Sequence, residues 1–125
     1  MDITKAYRVT DEATSGKWFD LGDGARIRVA KAGNERHEHV LKRLRKPYRL
    51  MRAVPDGVVD EITRRAAAEA LLLDWEGIEE NGEPQPCTLE KKLEYFERFP
   101  DFLEQVAFIA GNMRNFTDEE ADEKN

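Results

Sequence analysis

Proline and glycine set the limits on what this chain can build. Pro47, Pro55, Pro84, Pro86 and Pro100 each fix φ and remove a backbone donor, so no long helix and no wide central sheet can run through them. Gly22-Asp23-Gly24 and Asn81-Gly82 mark tight turns that need positive φ. Helices and strands are expected to start, stop or bend at these marks. The 125 residues therefore read as one domain with a modest core.

Ile27 and Val29 alternate with Arg26 and Arg28 beside the first turn, the period of two expected of a hairpin with one wet face. Asn34 can cap the next helix, where His37, Val40, Leu41, Leu44, Tyr48 and Met51 gather on one side, and Pro47 predicts a kink. A further helix is expected over about 58–75, its apolar arc made by Val58, Val59, Ile62, Ala66, Ala70 and Leu73. Leu71 and Trp75 lie nearly opposite that arc, so the last turn is apolar on two sides and needs cover from both. Glu69 falls inside the arc against the pattern.

After Gly77 comes a rigid acidic corner, and Thr88 then caps a helix carrying Leu89, Leu93 and Phe96 on one face. Pro100 suits the first position of the last helix, which is expected to bury Phe102, Val106, Ile109 and Met113 and to point Phe108 outward. The expected fold is α+β and mostly α-helical: a small N-terminal β-hairpin followed by four or five helices. Residues 1–16 read as a flexible segment, 17–116 as the single domain and 117–125 as an acidic tail.

Net charge is −6, but its distribution says more than its total. Residues 36–52 carry seven Lys or Arg against Glu38 alone, whereas Glu76 onward carries fourteen acidic residues against five basic ones. A cationic helix face is ordinarily just solvated. It could also follow a nucleic-acid backbone, though the acidic whole and the lack of any nucleic-acid-binding signature weigh against that. A third reading sets Arg43, Lys46 and Arg49 against the acidic half of another copy, a head-to-tail contact that builds a homo-oligomer. No apolar run approaches the ~20 residues of a membrane span. The N-terminus lacks a signal-peptide pattern, and the one cysteine cannot form an internal disulfide, so the cytoplasm is the expected location.

No constellation carries chemistry. His37 and His39, two apart on a helix, point about 200° from each other and cannot share a metal ion. The glutamates from Glu76 to Glu83 lack the ligand spacing of a calcium loop. Cys87 precedes a helix start but has acidic neighbours and no paired histidine, and Ser15, the one serine, has no nucleophile setting. A Cys87-dependent enzyme is the weakest reading. No catalytic residue, cofactor or metal is expected.

Leu71-Leu-Leu-Asp-Trp-Glu-Gly-Ile, then Asn-Gly-Glu-Pro-Gln-Pro, then a capped helix ending in Phe-Pro-Asp-Phe, resembles the tail assembly chaperones of long-tailed, non-contractile bacteriophages. The aromatic Asp-Gly hairpin with Arg-Ile-Arg-Val-Ala-Lys, the Asn-initiated basic helix and Arg45-Lys-Pro-Tyr-Arg49 follow the same order, so the likeness runs from about Trp18 to Phe116. His37 and Cys87 depart from it, standing where an aromatic and an apolar residue are expected. The resemblance implies a non-enzymatic assembly factor that coats the tape measure protein, contacts the tail tube protein and self-associates. Leu71, Trp75 and Phe108 are the candidate partner-binding residues, as displayed apolar patches; cover of Trp75 by the N-terminal hairpin or the C-terminal helices is the competing reading.

Overall fold

The computed structural model describes residues 1–117, a mixed α and β fold more than half helical. Strands β1 (Lys17–Gly22), β2 (Ala25–Val29) and β3 (Leu72–Glu76) form an antiparallel sheet in the order β1-β2-β3. The β1–β2 turn passes through Asp23 and Gly24 at φ 53° and 77°, which matches the twist of its strands. Phe19, Ile27 and Trp75 stand opposite one another in register and so share the buried face. The other face is wet: Arg26 pairs with Glu76 at 2.6 Å, and its guanidinium lies 4.3 Å over the Trp18 ring.

The hairpin is not the first element. Two one-turn helices, α1 (Ile3–Ala6) and α2 (Glu12–Ser15), precede it. The N-terminal segment is also stitched to the far end of the domain. Val9 bridges to Thr117, and the Thr10 N–H donates to the Phe116 carbonyl at 2.8 Å. Beyond Thr117 the expected acidic tail lies outside the described residues.

Helix α3 (Glu35–Arg45) starts where the Asn34 side chain accepts from the His37 N–H at 3.0 Å, and at Pro47 it gives way to a 3-10 turn over Lys46–Tyr48. Helix α4 (Asp56–Ala70) is central. Ala66 and Ala70 pack with Val40 toward α3, while Ala67 and Ala68 enter the main core with Ile27, Leu72, Phe96 and Val106. Small side chains on two sides let both neighbours approach closely.

The helix expected over 58–75 ends at Ala70, and Leu72–Glu76 forms strand β3 instead. The open edge of β2 accounts for the difference: it needs backbone partners, and Leu73-Asp74-Trp75-Glu76 alternates apolar and polar as a strand does. After Gly77, strands β4 (Glu79–Glu80) and β5 (Glu83–Pro84) make a minimal hairpin around Asn81-Gly82, both at positive φ.

Thr88 caps α5 (Leu89–Arg98) by accepting from the Lys91 N–H at 3.1 Å, and Pro100 opens α6 (Pro100–Gly111). Lys92 is buried on α5. Its Nζ donates at 3.0 Å to the Ala68 carbonyl near the C-terminal end of α4, where unpaired carbonyls favour a cation. That burial lowers its pKa.

Candidate functional site: a groove between α3 and α4

The two halves of α4 differ in bulk. Alanines let α3 close on the C-terminal half, whereas Val59 and Ile62 occupy the other. Pro47 and Pro55 bound the connecting segment, and a groove of about 1080 Å³ opens there. Its apolar lining is Tyr48, Met51, Val54, Val59 and Ile62. Its cationic lining is Lys42, Arg45, Lys46 and Arg49, all exposed, with His39 beside them. Val59 is 46% exposed and Met51 49%, so apolar surface faces water, bordered by these cations on the α3 side, where Glu38 also lines the groove. A concave surface with an apolar floor is what binding sites are commonly made of.

The residues expected to bind a partner fall in two places. Leu71 and Trp75 are each only 5% exposed and offer no surface, which corrects the expectation that they are displayed. Trp75 stacks on Tyr95 at 5.7 Å and meets Phe102 at 6.5 Å, and its indole N–H is taken up by the corner. Phe108, by contrast, is 74% exposed on α6. Asp101, Glu104 and Gln105, also exposed, share its arc of the helix.

Of the cations expected to join copies, Lys46 and Arg49 line the groove. Arg43 is engaged within the chain: its Nη2 donates to both Glu69 oxygens at 2.7 Å, and the Arg65 Nε donates at 3.1 Å. This accounts for a glutamate inside an apolar arc. Burial pushes the Glu69 carboxyl up, but Arg43 and Arg65 together outweigh it and hold the group below its usual range.

Val54, Val59 and Ile62 were not expected in a site. Val59 and Ile62 belong to the apolar arc expected of a helix over about 58–75. The helix ends five residues earlier, at Ala70, and of that arc Ala66 and Ala70 pack against α3 while Val59 stays exposed. The signal in the sequence is the pair Pro47 and Pro55, which mark where one helix gives way and the next begins.

His37 and His39 both lie on α3, two residues apart. The Gly33 N–H donates to His37 Nδ1 at 3.0 Å, which fixes that nitrogen as an unprotonated acceptor. Cys87 is half-buried at the edge of the core, where burial pushes the thiol up against the opposing pull of Lys92. Such a thiol is a poor nucleophile. No helix among the described residues is long and apolar enough to cross a membrane.

A family model described as YdaY prophage protein matches residues 32–125, well over half of the chain, and the chain belongs to that family. The matched stretch contains α3, α4 and the groove between them and leaves out the β1–β2 hairpin. No curated protein and no solved structure matches the chain.

Proposed function

We propose that this prophage protein is a tail assembly chaperone, a non-catalytic factor that binds the tape measure protein and shields it until the tail tube encloses it. The observation that carries this reading is the open groove between α3 and α4, inside the family-matched region. A tape measure protein is a very long chain whose helices carry apolar stripes before assembly. An amphipathic helix laid in an apolar groove is an established mode of recognition, with affinity from the apolar stripe and orientation from charged flanks. The client must be released as tube subunits arrive, which calls for a contact of transient rather than obligate size. The order of motifs from Trp18 to Phe116 supports the same role.

On this reading the protein works stoichiometrically in the host cytoplasm, self-associates, contacts the tail tube protein and needs no cofactor. Burial, which pushes the Cys87 thiol up, weighs against the alternative of a Cys87-dependent enzyme. The test is co-expression with a fragment of the tape measure protein of the same prophage, followed by capture. Val59→Asp, or Lys46→Glu combined with Arg49→Glu, is expected to abolish capture while circular dichroism stays unchanged. Undiminished capture by both folded variants sinks the groove as the client site. A tape-measure gene absent from the neighbourhood counts against the role itself.

A small nucleic-acid-binding regulator is the second reading, favoured by the four exposed cations at the groove. It leaves the apolar lining without a task. A DNA or RNA mobility shift that weakens steeply with salt would transfer the assignment to it.

A further inference from the structure

We propose that, before client arrives, the groove of one copy receives the outward face of α6 from a second copy, so that self-association and client capture compete. The competition rests on the groove being the client site. The pairing of copies does not.

Two surfaces of the chain complement each other in shape and charge. On α6, Asp101, Glu104 and Phe108 occur at i, i+3 and i+7, within an arc of about 60°. All three are exposed, while Val106 and Ala110 on the inner side are fully buried. The helix thus projects one aromatic ring flanked by carboxylates. The groove offers the counterpart, an apolar lining at Val59 and Met51 with room for several side chains. It is bordered on one side by Lys42, Arg45, Lys46 and Arg49, which outnumber the one lining carboxylate, Glu38.

Aromatic rings seated in apolar pockets carry much of the energy of such contacts, and complementary rim charges set orientation and encounter rate. Residues 118–125 are also acidic in sequence, but Ala121 is their one apolar side chain, so they offer nothing to fill an apolar lining. Knob and groove sit on different elements of one chain. The contact is therefore heterologous, and each added copy presents a free groove at one end and a free Phe108 at the other.

Sedimentation velocity on the full chain at rising concentration tests the pairing. The wild-type protein is expected to form an open-ended series whose mass grows with concentration and shrinks at high salt. Phe108→Asp and Val59→Asp are each expected to be monomeric. Mixed in equal amounts they should give a one-to-one dimer that grows no further, because each supplies one intact surface. Should Val59→Asp fail to fold, the exposed pair Lys46→Glu with Arg49→Glu replaces it. A wild-type protein that stays monomeric, or a mixture that does, overturns the pairing. So does loss of assembly on truncation after Thr117, which would give the groove to the acidic tail.

In the capture assay, Phe108→Asp is expected to take up more tape-measure fragment than wild type at concentrations where wild type assembles. Equal or reduced uptake overturns the competition. If instead Val59→Asp blocks assembly yet captures normally, the client reading falls and the pairing stands.

Discussion

The indole N–H of Trp75 donates at 2.8 Å to the carbonyl oxygen of Gln85, ten residues further along the chain. Pro84 and Pro86 flank that carbonyl, and the Gln85 N–H in turn donates to the Ile78 carbonyl at 2.8 Å. The acidic corner is thus a clasp on the largest ring of the core. Trp75→Ala is expected to cost about 3–5 kcal/mol in urea denaturation. Trp75→Phe keeps the stacking on Tyr95 but strands the carbonyl, at about 1–3 kcal/mol. Phe108→Asp should stay within about 0.5 kcal/mol of wild type, as suits an exposed side chain.

The Arg43–Glu69 pair ties α3 to α4 along the side where they touch. Arg43 is half exposed, so solvent screening limits the pair. A double-mutant cycle with Arg43→Ala and Glu69→Ala should return a coupling of about 0.5–1 kcal/mol that falls as salt is raised. A coupling of zero would leave Glu69 unexplained.

Gly77 stands at φ 74°, and a Cβ there would run into the carbonyl oxygen of Gly24 in the β1–β2 turn. Gly82, at φ 83°, has open space around the same position. Gly82→Ala should cost only the backbone strain of a left-handed residue, about 1–2 kcal/mol. Gly77→Ala should cost clearly more, since the backbone of the neighbouring turn must move. Comparing the two melting temperatures isolates the collision.

His37 is held below its ordinary pKa, first by burial and then by the charge of Arg45, against an opposing pull from Glu38. The Gly33 N–H aimed at Nδ1 acts in the same direction. The unfolded chain therefore binds a proton more readily than the folded one. This contribution to stability is complete above about pH 6.5 and is lost as pH falls through the window below it. The difference in urea midpoint between wild type and His37→Gln should shrink as pH drops from about 8 to about 5.5. A constant difference would show that His37 does not titrate with folding.

Features settled by a few neighbouring residues were legible in the chain itself. Asp23-Gly24 and Asn81-Gly82 take the positive φ that their turns demand, and Asn34 and Thr88 cap their helices. Pro100 opens α6 as its missing donor permits, and Phe108 points outward as the periodicity of its helix requires. Tertiary structure alone decided what Leu71 to Trp75 become. An apolar run of that length suits a helix end or a buried strand equally, and the choice fell to β2, whose open edge lies more than forty residues earlier. The same holds for the place of Glu69, supplied with partners by another helix, and for the groove, which exists only where two helices part. Local dihedral preference is written residue by residue. Burial and the pairing of backbone donors depend on neighbours that only the folded chain brings together.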